Sequence, residues 1–147
     1  IPLRLVGSEM CKETGLTELE AIAPHAAITL DIHHEWIYSG GQYIQPDDPR
    51  IEYVKESWRG TRPLGHFSTS RPEVLKNASP DTLPDFDAQR ASGSTLRDLR
   101  AHSDFCWNEA SNAWAISHLS WMDIEVEAKM KNLASDQLHA QRKKMQK

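Results

Sequence analysis

The chain has 147 residues, of which 39% are hydrophobic and 26% charged, and its formal net charge is −4. This composition is typical of a globular protein with a core of its own. No apolar run approaches the roughly 18 residues of a membrane span, and the two cysteines have neither a zinc-ribbon spacing nor that of a disulfide framework.

Residues 1–58 are predicted to combine a short helix with antiparallel strands. The apolar residues 2–6 favour an edge strand. The sequence Thr17-Glu18-Leu19-Glu20 has the form of a capping box, which begins a short helix that Pro24 ends.

Residues 27–38, AITLDIHHEWIY, alternate in a way that favours a β-strand. Ser39-Gly40-Gly41-Gln42 then predicts a hairpin turn, and residues 50–58 a further strand. A helix competes with this interpretation, because Ile28, Ile32 and Trp36 also recur every four residues and Gly40 could end a helix.

Residues 59–93 are predicted to be an irregular, proline-rich arm. Four prolines interrupt this segment and prevent long regular elements. One short helix is expected over residues 71–77, with Ser70 as its N-cap and Pro72 in its first turn.

Residues 94–147 contain no glycine or proline and show helical periodicity. We predict a long amphipathic helix or helix pair that Ser94 or Thr95 caps, with a break near residues 117–120. The predicted fold class is therefore α+β, with a small antiparallel sheet in the N-terminal half, an irregular middle and a long helical C-terminal segment. All three parts are expected to form one domain.

The predicted strand raises the question of a chemical site. On a strand, Asp31, His33 and Glu35 share one face at intervals of roughly 7 Å. Such a row can orient an imidazole as a general base, with His33 as the base and Asp31 as its orienting partner, and a metal ion is optional. The simpler interpretation is the solvent-exposed face of an antiparallel strand, with His34 turned into the core.

Three tryptophans recur every seven residues on the predicted helix. They fit a buried core, a protein interface, or a pocket for a flat small molecule in which His118 also takes part. The tryptophans are Trp107, Trp114 and Trp121.

The end of the chain is basic, whereas the rest is acidic. From residue 129 onward the chain carries +5, which leaves −9 on the other residues. Arg142, Lys143 and Lys144 could contact an acidic partner or RNA, or form a solvated helix end. Nucleic acid is not an expected partner, because the acidic body would repel phosphate.

His102 and Cys106 stand four residues apart and would share one side of a helix. Cys106 could then be a nucleophile or a metal ligand, although two helix residues facing a core explain the spacing equally well. No nucleotide, dinucleotide or zinc-protease motif occurs, and we expect no cofactor.

These observations favour a non-enzymatic, intracellular subunit of a larger assembly. It would dock on other protein subunits through its tryptophan-rich helix. The alternative is a small α+β enzyme or a domain that binds a small molecule, in which Asp31, His33 and Glu35 face a tryptophan-lined pocket.

Overall fold

The protein divides into two compact units. The structure is a computed structural model that describes residues 15–147, so the strand expected at residues 2–6 and Cys11 lie outside the described part. Of the described residues, unit 1 contains 15–66 and 117–125, and unit 2 contains 67–116 and 126–147.

Short helices make up most of the regular structure. None of the helices in residues 15–147 has the length and apolar character needed to cross a membrane. The elements in chain order are α1 (Leu16–Leu19), α2 (Ile32–Tyr38), α3 (Ile51–Ser57), β1 (Leu64–Phe67), α4 (Phe86–Ala91), α5 (Leu96–Arg100), α6 (Glu109–Ser117), a 3₁₀ turn (His118–Ser120), β2 (Asp123–Val126) and α7 (Asn132–Met145).

The predicted antiparallel sheet is wrong, because the two strands of the described chain pair in parallel. The Asp123 N–H donates to the Pro63 carbonyl and the Glu127 N–H donates to the Phe67 carbonyl, both at 2.8 Å. Both strands thus advance in the same direction. A parallel pair needs a long connection, which the more than fifty residues between the strands provide.

The strand predicted over residues 27–38 is also wrong, because residues 32–38 form α2. Asp31 caps the start of α2, and its Oδ1 accepts the His34 N–H at 2.9 Å. At the other end, the Gly41 N–H donates to Trp36 O and the Gly40 N–H to Ile37 O, with both glycines at positive φ. These bonds form a Schellman motif, so the glycines end a helix rather than turn a hairpin.

Other predicted elements differ in type or position. Residues 51–57 form helix α3 instead of a strand, and residues 71–77 form turns instead of a helix. A short helix before Pro24 is confirmed as α1, but its N-cap is Gly15 rather than Thr17.

Residues 94–147, predicted to form a long helix or helix pair, are divided among several elements. The predicted capping at its start is confirmed, since Thr95 and Asp98 form a capping box on α5. Beyond α5, Asn108 begins α6 by accepting the Ser111 N–H at 2.7 Å. A strand then separates α6 from α7, so the tryptophans do not form one stripe along a single helix.

Each unit has its own set of buried apolar side chains. Large, fully buried members in unit 1 are Leu16, Leu19, Ile28, Leu30, Ile32, Trp36, Ile44, Ile51 and Met122, and buried apolar members in unit 2 include Phe67, Leu75, Leu99, Cys106, Trp114, Ala134 and Leu138.

Gly65 allows β1 to approach its neighbours in unit 1 closely. A Cβ at this position would overlap the Met122 sulphur and the Leu30 carbonyl oxygen. We therefore expect Gly65→Ala to lower the free energy of unfolding by about 1–3 kcal/mol, the usual cost of overpacking. Urea unfolding followed by circular dichroism measures the change, with the exposed Ser135→Ala as a control. A Gly65→Ala protein as stable as the control would contradict this close packing.

Candidate functional site

Asp31 and His34 form a buried carboxylate–imidazole pair in unit 1. Asp31 Oδ2 lies 2.6 Å from His34 Nδ1, and the two residues are 1% and 3% exposed. The same carboxylate caps α2 through its other oxygen. The Asp31 carboxylate can only accept a hydrogen bond from Nδ1 of His34. The neutral imidazole therefore carries its proton on Nδ1 and its lone pair on Nε2. Nε2 is then the ring atom that can accept a proton or bind a metal ion.

The His34 contact also governs the charge of Asp31. Burial alone would raise the pKa of this carboxyl, but the hydrogen bond from the His34 side chain and the positive charges that His34 and His33 carry when protonated outweigh it. Together they lower the pKa of Asp31 to about 2. Asp31 is therefore a carboxylate at neutral pH and favours the protonated Nδ1 of His34.

His33 adds a second buried imidazole beside His34. Its ring stacks on Trp36 with centroids 6.1 Å apart and an interplanar angle of 16°, and its centroid lies 5.5 Å from that of His34. Ring nitrogens of His33 and His34 come within 4.8 Å of each other. The Trp36 ring packs in turn against Tyr43. The His33 ring therefore packs on one of two aromatic side chains that support each other.

β1 places His66 next to Asp31 in the backbone pairing of unit 1. The His66 N–H donates to the Leu30 carbonyl at 2.8 Å, and residues 31 and 66 form a parallel bridge. The His66 Nε2 lies 3.3 Å from Glu125 Oε2 on β2. Sequence reasoning gave His66 no role. The local sequence signal for a strand that carries this histidine was the apolar pair Leu64 and Phe67 on either side of it.

Glu35 is also buried, but its carboxylate contacts the Leu16 backbone and Arg50. Its Oε2 accepts the Leu16 N–H at 2.8 Å, and its Oε1 lies 3.7 Å from Arg50, which itself binds Asp48 at 2.8 Å. Burial raises the pKa of Glu35 against the opposing effect of the Leu16 hydrogen bond and the Arg50 charge. These contacts tie α2 to α1 and to the loop before α3.

The predicted row of Asp31, His33 and Glu35 on one strand face is not formed. On α2 and its cap, residues 31, 34 and 35 lie on one side of the helix, because three and four residues make about one turn. The histidine that bonds to Asp31 is consequently His34 and not His33.

His118 and Trp121 come together in the core of unit 1. Trp121 Nε1 donates to His118 Nδ1 at 3.0 Å, and His118 Nε2 lies 3.0 Å from the Ile44 carbonyl oxygen. Nε2 therefore carries the proton. Burial lowers the pKa of His118, partly offset by the Ile44 hydrogen bond. This neutral histidine joins the 3₁₀ turn to the segment after α2.

The other residues singled out from the sequence lie in unit 2. Trp107 precedes α6 and donates through Nε1 to the Ser70 carbonyl at 2.8 Å, whereas Trp114 is buried within α6. Arg142, Lys143 and Lys144 occupy the last turn of α7, where positive charge favours the helix dipole.

His102 and Cys106 do not share a helix, since α5 ends at Arg100. Burial raises the pKa of the Cys106 thiol to about 12, so it stays protonated at neutral pH and is a poor nucleophile. His102 instead has a carboxylate partner in unit 2, with its Nε2 4.0 Å from Glu127 Oε2.

Comparison of the chain with protein-family models, with curated proteins and with solved structures finds no match.

The Asp31 pair makes stability depend on pH. Because the pKa of Asp31 is lower in the folded chain than its ordinary value of 3.8, the contribution of this residue to stability is present above about pH 4 and is lost as the pH falls toward 2. Replacing Asp31 by Asn should cost about 2–4 kcal/mol at pH 7, because a buried imidazole loses its charged partner.

Urea unfolding at a series of pH values between 7 and 2 tests this. The stability difference between the wild type and Asp31→Asn should shrink below pH 4, whereas the exposed Asp47→Asn should follow the wild type throughout. A difference that stays constant down to pH 2 would contradict the proposed ionisation of Asp31.

Proposed function

We propose that the protein is a metal-dependent hydrolase whose divalent cation binds in unit 1. The observation that supports this most is the run of adjacent buried titratable groups, Asp31, His33 and His34, each at most 4% exposed. Burying such groups costs free energy unless they are paired or bind a metal ion. Groups of this kind concentrate at functional sites.

The geometry of His34 suits a metal ligand. Metal-binding histidines generally donate their other ring N–H to a carboxylate, which fixes the tautomer and makes the ligating nitrogen more basic. Asp31 has that relation to His34. A ring nitrogen of His33 within 4.8 Å of one in His34 allows the same cation to contact both rings. Zinc in particular accepts imidazole nitrogen ligands.

The position of these residues in the chain supports the same proposal. Asp31 forms an isolated parallel bridge with His66 on β1, and α2 follows at once. Ligands in α/β proteins commonly bind at the carboxyl ends of parallel strands. The paired residue on β1 is His66, whose Nε2 lies 3.3 Å from Glu125 Oε2.

A bound divalent cation would supply a nucleophile by lowering the pKa of a coordinated water. Asp31 would keep His34 in the required tautomer, and the stack on Trp36 would limit the movement of His33. Hydrolysis is the reaction class that needs the fewest additional parts, because the sequence has no nucleotide-cofactor motif.

The second candidate is the interaction protein that the sequence favoured. Met130 and Leu133 are 41% and 50% exposed near the start of α7, and its last turn is basic. Exposed apolar and basic residues are compatible with a partner surface. One premise of this candidate was a long tryptophan-rich C-terminal helix, and the structure divides that segment among several elements.

Cation binding tests the proposed site. Protein treated with EDTA and titrated with Mn²⁺ or Zn²⁺ by calorimetry should bind one cation per chain. His34→Ala should abolish this binding, and Asp31→Asn should weaken it about 10–100-fold, the usual effect of losing a partner that orients a ligand. The exposed His25→Ala, also in unit 1, is the matched control. Equal binding by His34→Ala and His25→Ala would contradict the site.

Hydrolysis tests the proposed reaction. The Mn²⁺-loaded or Zn²⁺-loaded protein should hydrolyse an activated substrate such as 4-nitrophenyl acetate or bis(4-nitrophenyl) phosphate, and His34→Ala should reduce this rate at least tenfold. The assay follows release of 4-nitrophenol. A rate that is the same in His34→Ala and in the wild type would contradict a hydrolase centred on His34.

A further inference from the structure

Unit 2 contains a small cavity surrounded by charged and aromatic side chains. Its volume is about 220 Å³, below the roughly 300–1,000 Å³ of pockets for drug-sized ligands. It therefore suits a molecule of about the size of a free amino acid. The residues that line it include Arg71, Glu73, Asp104, Phe105 and Trp107.

Opposite charges line this cavity without pairing. Within the described chain no ion pair joins Arg71 to Glu73 or Asp104, and neither carboxylate pairs with another cation. Glu73 and Asp104 are exposed and Arg71 is half-buried, so water can solvate each charge while it stays unpaired. Their separation leaves space for a ligand that has both an anionic and a cationic group.

The walls of the cavity are held by backbone hydrogen bonds. Arg71 Nε donates to the His102 carbonyl at 3.2 Å, and Trp107 Nε1 donates to the Ser70 carbonyl at 2.8 Å. The carbonyls of Ser103 and Asp104 each accept an N–H from residues 129–130 at 3.0 Å. Preorganised walls reduce the entropy lost when a ligand binds.

The aromatic side chains complete the set of contacts. Phe105 is 39% exposed although it is large and apolar, and Trp107 offers a second ring in the same cavity. Apolar side chains of a ligand can cover such rings. Arg71 keeps its terminal amino groups for a planar oxyanion such as a carboxylate, which guanidinium binds in a forked arrangement.

We infer that this cavity binds a free α-amino acid with an apolar side chain, or a zwitterion of the same kind. The carboxylate of the ligand pairs with Arg71, its ammonium group with Glu73 and Asp104, and its side chain covers Phe105 and Trp107. This inference concerns unit 2 alone and does not depend on the proposed metal site.

Three probes separate the contributions of the two charges. L-Leucine has both charges, L-leucinamide lacks the carboxylate, and N-acetyl-L-leucine lacks the ammonium group. Saturation-transfer NMR on the full chain should show saturable binding of L-leucine and at least tenfold weaker binding of the other two. Equal binding of all three probes, or no saturable binding of L-leucine, would overturn the inference.

Variants test the roles of the cavity residues. Arg71→Gln should weaken L-leucine binding at least tenfold while leaving L-leucinamide binding nearly unchanged, and Asp104→Asn should weaken binding of both. Phe105→Ser replaces an exposed side chain, so it should keep the fold and still weaken L-leucine binding. The exposed Arg97→Gln on α5 is the control. L-Leucine binding that is the same in Phe105→Ser and Arg97→Gln would overturn the inference.

Discussion

The Asp31 carboxylate makes the two hydrogen bonds on which the architecture of unit 1 depends. One oxygen accepts the His34 N–H and starts α2, and the other lies 2.6 Å from the His34 ring. A single residue therefore sets both where the helix begins and how an imidazole is oriented. In water such a contact contributes little, but in a buried setting removal of one partner leaves the other without compensation. The fold and the candidate site are thus linked through the same side chain.

Glu35, the buried acid next to His34, contributes to the packing of unit 1 instead of orienting a histidine. Glu35 follows His34 directly, yet it is used to hold the Leu16 backbone and to approach Arg50. Two carboxylates on adjacent turns of one helix thus have separate tasks: Asp31 orients a ring, and Glu35 secures the surrounding chain. Residue type alone would not have separated these tasks, because both are buried acids beside histidines.

The sequence contains the signals for helix α2, but its apolar spacing alone does not decide between a helix and a strand. The stretch AITLDIHHEWIY fits a strand and a helix almost equally well by its apolar spacing, so local caps decide the outcome. The deciding signals were present, namely Asp31 as an N-cap and Gly40-Gly41 as a helix end. Gly40 was considered as the end of a competing helix, but the strand and hairpin turn were preferred. The histidine pair was found, whereas its partner was misassigned because the wrong period places His33, not His34, beside Asp31.

In the C-terminal half, the local cap of α5 could be predicted from the sequence, whereas the interruptions that follow it could not. Thr95, one of the two caps predicted, does begin α5, because capping is a local interaction. The interruptions beyond it depend on distant partners. Asn108, for example, donates to the carbonyls of Ser79 and Thr82, and β2 pairs with a strand about sixty residues earlier. The alternation in Asp123-Ile124-Glu125-Val126 was a signal for β2, but it was hidden within an apparently helical segment.

The most direct test of the account is the protonation of the His34 ring, measured by long-range ¹H–¹⁵N NMR on the full chain. We expect Nδ1 to carry the proton at neutral pH, and the Nε2 resonance to shift on addition of Zn²⁺. In Asp31→Asn this preference for Nδ1 should be lost. A proton on Nε2 in the wild type, with no change on addition of Zn²⁺, would contradict both the orienting role of Asp31 and the proposed metal site.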